Sequence, residues 1–302
     1  MATNNIVVVG SCMIDFVSYT SRLPKVGETL HGTRFVTNFG GKGANQCVAA
    51  AKLGAKTTLV ARVGDDLWGA KYIENLKNSN VNTAHVQKTE GETSGIAQII
   101  VSEAGENQIV IVAGANKKLS VSDVEKAQNE ISTAAVVILQ LETSVDVAIR
   151  AIQLTRGVSI LNGAPALSTY DDQLLKLPTI FCVNETEASI FTGLPVNDIS
   201  EAETAANELL KKGCNSVLVT LGPQGAIYKK NIGDCVHVPS PQVKCVDTTG
   251  AGDAFIGALA YVLATKKGAT VEDAMKVACK AASDSVTKPG TQISFPTSDI
   301  LK

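Results

Sequence analysis

The feature that most restricts the fold is the alternation of short apolar segments with longer alanine-rich ones along the chain. The short segments are rich in β-branched residues and contain few polar side chains, as expected of strands buried on both faces of a sheet. The longer segments have helical spacing, and several end at a glycine, which commonly terminates helices. This alternation predicts an α/β protein with a central, mostly parallel sheet and helices on both faces.

Six strands and seven helices are expected from this pattern. The expected strands are Ile6 to Val9, Thr57 to Val63, Ala134 to Gln140, Val158 to Leu161, Thr179 to Val183 and Ser216 to Leu221. The expected helices are Ala44 to Leu53, Leu67 to Asn78, Val121 to Ile131, Ser144 to Thr155, Glu201 to Lys212, Ala251 to Thr265 and Val271 to Val286.

Two stretches interrupt the alternation, residues 16–37 and residues 94–113. Each is similar to two short strands around a turn, at residues 24–27 and 103–106. Both leave the main sheet at the end of a strand and return to it, so we predict one small β-sheet that covers a ligand as a lid. Two surface hairpins without a function are the alternative. The large domain then comprises residues 1–15, 38–93 and 114–302.

The overall charge gives no reason to expect nucleic acid or a membrane as a partner. The 302 residues include 27 basic and 29 acidic side chains, a formal net charge of −2, so an anionic ligand has to be bound locally. Seven cysteines without a C-x-x-C pair favour a reducing compartment over a secreted disulfide framework. No apolar run approaches the roughly 18 residues of a spanning helix, and the N-terminal run is too short for a signal peptide. We therefore expect a soluble cytoplasmic protein.

The strongest local signal is the segment DTTGAGD from Asp247 to Asp253, which precedes a helical run. Glycines at the start of a helix let successive backbone N–H groups point at one anion, which the helix dipole also favours. Gly250, Ala251 and Gly252 are therefore expected to form an anion hole for a phosphoryl group. Asp253, in the first turn, is expected to accept the proton of an attacking hydroxyl as a general base. The alternative for Asp253 is an acid that only stabilises the helix N-terminus.

A second glycine-rich segment, GGKGANQ from Gly40 to Gln46, also precedes a helical run. Its glycines allow a ligand to approach the backbone closely, while Lys42 and Asn45 supply donors for hydroxyl groups. A purely structural turn is the alternative. The segment does not match G-x-x-x-x-G-K-S/T, because Lys42 is followed by Gly43, nor G-x-G-x-x-G, because Gln46 stands at the third glycine. A P-loop ATPase and a dinucleotide-dependent dehydrogenase are therefore disfavoured.

Polar residues follow several of the predicted strands at the point where each strand ends. Asp15 lies a few residues after the first strand, Glu142 follows the third, and Asn184 and Glu187 follow the fifth. The glycine-rich turn from Thr220 to Gly225 follows another strand. Because the carboxyl ends of parallel strands meet at one edge of the sheet, we expect these groups to share a site. The alternative for each is a helix cap or an ordinary turn.

With both glycine-rich segments in view, the chain resembles the ribokinase-like (PfkB) family of carbohydrate kinases over essentially its whole length. The segments are specific in combination and in order, GGKGAN early in the chain and DTTGAGD late. The resemblance implies a nine-stranded or similar central sheet flanked by helices. It also implies that the small β-sheet serves as a lid and, in many members, as the interface of a homodimer.

The resemblance implies roles for individual positions as well. Asp253 resembles the catalytic base, and Gly250, Ala251 and Gly252 resemble the anion hole. The positions that match sugar contacts are Met13, Ile14, Asp15, Gly41, Lys42, Gly43, Ala44, Asn45, Glu142 and Asp253. The positions that match ATP contacts are Asn184, Thr220, Leu221, Gly222, Pro223, Gln224, Gly225, Gly252, Asp253 and, where relatives often place an asparagine near the purine base, Cys279 or Lys276.

Two kinds of cation are implied by the same resemblance. Glu187 completes an Asn-x-x-Glu pattern that is linked to Mg²⁺ and phosphate, and it would act on the metal indirectly. A monovalent cation, potassium, is expected beside the anion hole, with several ligands provided by backbone carbonyls. The matching positions are Asp247, Thr249, Ser285, Lys288, Gly290 and Ser294.

These implications predict an ATP-dependent carbohydrate kinase. Within the family, GGKGANQ is most similar to the segment of members that act on D-ribose, so transfer to the 5-hydroxyl of D-ribose is the first expectation. A kinase of deoxyribose, another sugar or a nucleoside is the alternative. A catalytically silent sugar- or nucleotide-binding protein is a remote alternative, because Asp253 and residues 250–252 are intact.

Overall fold

A computed structural model describes residues 4–301 of the chain. The strands within this range are β1 Asn5–Val9, β2 Met13–Thr20, β3 Arg34–Gly40, β4 Lys56–Gly64, β5 Val81–Thr89, β6 Gly95–Ser102, β7 Asn107–Val112, β8 Val136–Leu139, β9 Val158–Asn162, β10 Ile180–Asn184, β11 Val217–Thr220, β12 Ala226–Lys229 and β13 Val236–Val238. The α-helices are α1 Lys42–Lys52, α2 Leu67–Asn78, α3 Val121–Lys126, α4 Gln128–Thr133, α5 Val145–Leu154, α6 Gln173–Lys176, α7 Glu185–Thr192, α8 Ile199–Lys211, α9 Ala251–Thr265 and α10 Val271–Ser285. Short 3-10 helices lie at Gly114–Lys118, Gly222–Gln224 and Ser298–Leu301.

Nine of these strands form the central sheet, in the order β13-β12-β11-β10-β9-β8-β1-β4-β5. The strands from β11 to β5 pair in parallel, whereas β12 and β13 add an antiparallel edge. In the middle of the sheet, Ile6 of β1 is in register with Thr57 of β4 and Val136 of β8. The predicted fold class, a mostly parallel sheet with helices, is confirmed.

The apolar core is divided by this sheet into two layers. Ile6 and Val8 of β1 face the layer that contains α1, α2, α9 and α10, whereas Val7 and Val9 face the layer that contains α3 to α8. All four side chains are at most 1% exposed. Burial on both faces explains why the central strands are continuous apolar runs rather than alternating ones. No helix within residues 4–301 is long and apolar enough to cross a membrane.

A separate four-stranded sheet has the order β3-β2-β6-β7. It consists of two antiparallel hairpins, β2 with β3 and β6 with β7, joined by parallel pairing of β2 with β6. This is the small β-sheet expected from the two interruptions, and we call it the lid sheet. Its strands begin at Met13 and end at Gly40, so they reach a few residues beyond the range 16–37. The domain boundaries themselves stay a prediction.

Several elements differ from the sequence-based expectation. Strand β5 was not expected, because it lies at the edge of the sheet and alternates buried with exposed residues. Strands β12 and β13 are short and lie at the opposite edge. The single helix expected over 121–131 is two helices, since the backbone at Ala127 leaves the helical region at ψ 12°. Helix α7, also not expected, begins directly after Asn184, its N-cap residue, for which a binding role and a helix cap were the two expectations.

The crossing of α1 and α9 brings the two glycine-rich segments together. Gly257 on α9 lies against α1 so closely that a Cβ atom there would be 2.5 Å from the Cβ of Ala49 and 2.8 Å from the carbonyl oxygen of Gln46. Glycine is therefore required by the contact between the helices. Because both helices begin at the carboxyl edge of the sheet, this contact sets the distance between their N-termini.

Replacing Gly257 by alanine is expected to lower the free energy of unfolding by about 1–3 kcal/mol, because the added methyl overpacks the helix crossing. This loss should occur although alanine is the better helix former. Chemical denaturation measures it, with Gly252→Ala as the matched control in the first turn of the same helix, where a Cβ has no neighbour within 4 Å. Equal stability of the two variants would contradict the interpretation of the crossing.

Candidate active site

Asp253 lies at the centre of the candidate site, in the first turn of α9, and is only 8% exposed. Its carboxylate accepts a hydrogen bond on each oxygen: Asn45 Nδ2 donates to Oδ2 at 2.9 Å, and Gln46 Nε2 donates to Oδ1 at 2.9 Å. Both donors belong to α1. The two glycine-rich segments, about 200 residues apart in sequence, therefore meet at one carboxylate.

The pKa of Asp253 is raised above the usual aspartate range, chiefly because burial disfavours the charged form. Lys42 and the two amide donors oppose this shift, whereas the nearby charge of Glu142 adds to it. The pKa of Lys42 is itself raised: its burial lowers the value, but the charges of Asp253, Glu142 and Glu187 outweigh that effect. The site thus combines a proton acceptor of raised pKa with a stable cation.

Two glycines with different surroundings lie at the N-terminus of α9, where the anion hole is expected. Gly250 precedes the helix in the left-handed region at φ 80°, and a Cβ there would lie 2.5 Å from Thr291 Cγ2. Gly252 differs, because it is exposed and its Cβ position has no protein atom within 4 Å. No contact within the described residues requires glycine at 252. In the first turn the Ala251 N–H donates to the Thr248 carbonyl at 3.2 Å, whereas the N–H groups at the start of a helix otherwise have no intrahelical acceptor and can face an anion.

Glycine is needed at positions 41 and 43 for a different physical reason from the one expected. A Cβ at Gly41 would lie 2.8 Å from the backbone N of Met13, and one at Gly43 would lie 2.5 Å from the backbone N of Ser11. Gly41 also requires a left-handed conformation, at φ 87°. These glycines therefore let the start of α1 pack against the segment after β1, rather than leaving room for a ligand at those positions.

Glu142 connects the start of α1 to the segment that follows β1. Its Oε2 accepts hydrogen bonds from the Ser11 hydroxyl and, at 2.8 Å, from the Lys42 backbone N–H. Both donors use the same oxygen, so Oε1 is the atom with remaining acceptor capacity. Glu142 thus lies beside Lys42, where a sugar site was predicted, and it also connects the start of α1 to Ser11.

Asp15 lies on β2 of the lid sheet, next to Gly40, where a Cβ would be 2.3 Å from its carboxylate. The pKa of Asp15 is raised to about 7, mainly by burial and further by the charges of Glu142 and Asp253. The neighbouring Met13 is buried and Ile14 is fully buried in the core, so Ile14 can meet a ligand only through its backbone.

A cleft of about 310 Å³ adjoins the N-terminus of α9. Of the residues expected to contact ATP, those lining the cleft are Asn184, Thr220, Gly222, Pro223, Gly225, Gly252 and Cys279. The side chain of Leu221 is instead buried in the core, and the carbonyl of Gln224 accepts a hydrogen bond from His237 at 2.7 Å. Of the two candidates near the purine base, Cys279 lines this cleft, whereas Lys276 lines a neighbouring groove and pairs with Glu272.

Asn184 and Glu187 form a capping box at the start of α7. Asn184 Oδ1 accepts from the Glu187 backbone N–H at 2.8 Å, and Glu187 Oε2 accepts from the Asn184 backbone N–H at 2.9 Å. The helix-capping alternative is therefore realised for both residues. The pKa of Glu187 is nevertheless raised by burial, and Glu185 beside it lines the cleft.

Three of the residues expected to hold a monovalent cation, Asp247, Thr249 and Gly290, are linked by hydrogen bonds. Asp247 accepts the Thr249 backbone N–H on Oδ1 and the Gly290 backbone N–H on Oδ2, each at 2.9 Å. The hydroxyls of Ser285 and Ser294 donate to the carbonyls of Ala282 and Thr291, which leaves oxygen lone pairs for a cation. The Lys288 ammonium pairs with Asp284 at 2.6 Å, so Lys288 can offer only its carbonyl.

Some residues of the site were not found by sequence reasoning. Ser11 and Gln46 contact Glu142 and Asp253, and Asn116 binds both the backbone N–H and the carbonyl of Cys12 at 2.8 Å. Gln292 contacts Asn45 from a segment near the C-terminus. The only available signal was the position of Gln46 within the glycine-rich segment; the others are uncharged residues outside any motif.

Comparison with known proteins agrees with this geometry. Residues 3–298 match the model of the pfkB family of carbohydrate kinases. A ribokinase of Mus musculus is 49% identical over 295 residues, which cover 96% of this chain and 91% of that protein. A deoxyribokinase of Salmonella typhi is 42% identical over 295 residues, 97% of this chain and 95% of that protein.

A solved structure gives the same result. The ribokinase of Arabidopsis thaliana complexed with ribose and ATP superposes with a TM-score of 0.90 at 33% identity, covering 100% of this chain and 98% of that chain. The fold and the site define a carbohydrate kinase. The chain belongs to the pfkB family, which confirms the family predicted from the two glycine-rich segments.

The raised pKa of Asp15 predicts a stability effect. Below about pH 7 the folded state keeps a proton that the unfolded state loses from about pH 4 upward, so Asp15 makes stability fall as the pH rises through this window. Asp15→Asn is expected to stabilise the protein by an amount that grows from pH 5 to pH 8. Urea denaturation measures the difference, with the exposed Asp234→Asn as control. A gain that is independent of pH would contradict the prediction.

Proposed function

We propose that this protein transfers the γ-phosphoryl group of ATP to the 5-hydroxyl of D-ribose, giving D-ribose 5-phosphate and ADP. The observation that carries this proposal is the hydrogen bonding of Asp253, from the late glycine-rich segment, to Asn45 and Gln46 of the early one. It supports a site in which a sugar bound at the early segment faces the base and the anion hole of the late one. The names of the mouse and Arabidopsis relatives support the same substrate pair.

The sugar is proposed to bind against Asp15, Lys42, Asn45 and Glu142. Carboxylates accept hydrogen bonds from two hydroxyls, and the lysine and amide groups donate to sugar oxygens. The free Oε1 of Glu142 supports this assignment, because its other oxygen already holds Ser11 and the Lys42 backbone.

Proton transfer is assigned to Asp253. A general base is most effective when its pKa lies near the working pH, and burial moves the pKa of Asp253 in that direction. Lys42 lies beside the carboxylate and favours its ionised form before the sugar donates its proton. The γ-phosphoryl group then transfers in line while backbone N–H groups of residues 250–252 bind its developing charge.

ATP is proposed to occupy the cleft beside α9, with its phosphates toward Gly252 and its base toward Cys279. The turn at residues 220–225 and Asn184 border the same space. Glu185 and Glu187 supply hard oxygen donors of the kind that Mg²⁺ accepts, directly or through water. When bound with the nucleotide, Mg²⁺ neutralises charge on its phosphates.

Potassium is proposed to act at the segment around Asp247 and Gly290. Within residues 4–301, no group of three His, Cys, Asp or Glu side chains is arranged to hold a metal ion, so a cation here would depend on hydroxyl and carbonyl oxygens. The hydrogen-bonded arrangement of Asp247, Ser285 and Ser294 supports such a donor set. Its closeness to the start of α9 would let the cation stabilise the anion hole.

Deoxyribose is the second candidate substrate. It is favoured by the Salmonella deoxyribokinase, which resembles this chain over 97% of its length. The two sugars differ in the 2-hydroxyl alone, so the choice depends on whether Asp15 and its neighbours bind that group.

The lid sheet is proposed to close over the sugar and to form a homodimer. Its edge strand β7 exposes Ile109, Val110, Ile111 and Val112, each about half or more exposed, and a second copy could cover them. All seven cysteines are free, which supports a reducing, cytoplasmic compartment.

Release of ADP from ATP and Mg²⁺ is expected to depend on D-ribose and to be stimulated by potassium. Asp253→Asn should lower kcat by about 10²–10⁴-fold, because the general base is lost, while ribose binding measured by calorimetry is retained. The assay compares D-ribose, 2-deoxyribose, fructose and adenosine, with and without potassium. Preference for another acceptor would change the substrate only, whereas ligand binding without turnover on any acceptor would indicate a silent binding protein.

Gly252→Ala is expected to lower kcat by about 10²–10³-fold, because its methyl enters the space of the transferring phosphoryl group. Its melting temperature should be equal to that of the parent protein or slightly higher, since the Cβ meets no protein atom and alanine is the better helix former. Steady-state kinetics and thermal unfolding of the same preparation check both statements. Full activity in this variant would remove the assignment of the anion hole.

A further inference from the structure

The two amides that bind Asp253 are themselves held by other side chains. Asn45 directs Nδ2 to Asp253, and its Oδ1 accepts a hydrogen bond from Gln292 Nε2 at 3.0 Å. Gln46 directs Nε2 to Asp253, and its Oε1 accepts from Gln140 Nε2 at 2.7 Å. Asn45, Gln46 and Gln292 are each at most 6% exposed, so water has little access to compensate for a reversed amide.

The orientation of the Gln292 amide is fixed by Asn75, which lies on the side of Gln292 away from Asp253. Its Oε1 accepts from Asn75 Nδ2 at 2.9 Å, which leaves its amide group as the only donor toward Asn45. The same amide donates to the Tyr72 hydroxyl at 3.1 Å, and that hydroxyl gives its own proton to the Gly40 carbonyl. Donation therefore runs in one direction, from Asn75 through Gln292 and Asn45 to Asp253.

Gln46 is held more redundantly than Asn45. Besides its bond with Gln140, its Nε2 donates to Asn162 Oδ1 at 3.1 Å, and Asn162 uses its own amide to bind the Cys182 carbonyl. Asn162, fixed by its bond to Cys182, thus requires this orientation of Gln46, whereas Gln140, whose Oε1 has no hydrogen-bond partner within the described residues, adds a second contact without requiring it. Asn45 has one such neighbour among the described contacts, Gln292.

We propose that Gln292 is a positioning residue for the phosphoryl-transfer reaction, which fixes the amide of Asn45 so that it can only donate to Asp253. The inference rests on the proposed role of Asp253 as the base. An amide that cannot turn favours the ionised carboxylate, because a protonated Asp253 would face a donor where it needs an acceptor. An amide that is free to turn would present its oxygen and stabilise the protonated, inactive form.

Other charged groups around Asp253 also affect its pKa or interact with its charge. Lys42 favours the ionised form and Glu142 opposes it, and Asp15 and Glu187 are coupled to Asp253 as well. None of these four groups accepts a hydrogen bond from Gln292 or Asn45 in the contacts described. A change at Gln292 therefore leaves their number and charge unaltered.

The test is the pH dependence of kcat at saturating ribose, ATP and potassium. Gln292→Met removes the hydrogen-bond donor and has a similar size. We expect it to shift the low-pH side of the kcat profile, the acidic limb, to higher pH by about half to one unit, the equivalent of one net hydrogen bond. Gln140→Met is the matched comparison: it removes the corresponding glutamine from Gln46, which Asn162 still orients, so its shift should be smaller. Ser159→Ala, which removes a buried acceptor near the amino end of the sheet, should lower stability without moving the limb.

A second readout does not depend on turnover. In an NMR titration with ¹³C-labelled aspartate, the Asp253 signal is identified by its loss in Asp253→Asn. The midpoint of its titration should move to higher pH in Gln292→Met by the same amount as the acidic limb of the kcat profile. If Gln292→Met does not fold, Asn75→Ala frees Gln292 to turn and should shift the titration in the same direction.

An unchanged limb and an unchanged Asp253 titration in Gln292→Met would overturn the proposal, as would equal shifts in Gln292→Met and Gln140→Met. Failure of the proposed function looks different. In that case the parent protein does not phosphorylate ribose at all, while the Asp253 titration still responds to Gln292→Met.

Discussion

The arrangement of the site depends on the buried carboxylate of Asp253. A charge at this depth is tolerated only when hydrogen bonds and an opposite charge compensate for lost water, and here Asn45, Gln46 and Lys42 provide them. These partners lie on α1, so the carboxylate requires α1 and α9 to begin at the same place. The close contact at Gly257 meets this requirement, since a larger residue there would separate the helices.

The glycines of the two motifs serve distinct physical purposes. Gly41 and Gly43 bring the backbone of α1 into contact with residues 10–13. Gly252 faces open space and lacks a comparable steric reason. A motif in sequence does not separate these cases, because each is a glycine near a helix start. Only the environment of the missing Cβ distinguishes a glycine needed for packing from one that leaves room for a ligand.

The extent to which the sequence predicted this structure follows from how local each signal is. The central strands were predicted because burial on both faces makes them apolar throughout. The hairpins of the lid sheet were predicted because they interrupt the alternation of strands and helices. Edge strands such as β5 carry a weaker pattern, since one side is exposed. The bond between Gln292 and Asn45 spans 247 positions and involves uncharged amides, so no period or motif marks it. Charged and glycine-rich parts of the site were therefore predictable, whereas the amides that orient them were not.

The lid sheet and the sugar site share the same backbone. Asp15 lies on β2, and β3 ends at Gly40, the first residue of the early glycine-rich segment, whose carbonyl accepts a hydrogen bond from the Tyr72 hydroxyl. Asn116, in the segment after β7, forms hydrogen bonds with the backbone N–H and carbonyl of Cys12, just before β2. A movement of the lid sheet is thus transmitted to Asp15 and to the start of α1 through covalent connections and short hydrogen-bonded links. The proposed sugar contact at Asp15 is therefore coupled to the position of the lid sheet, because Asp15 is itself part of strand β2.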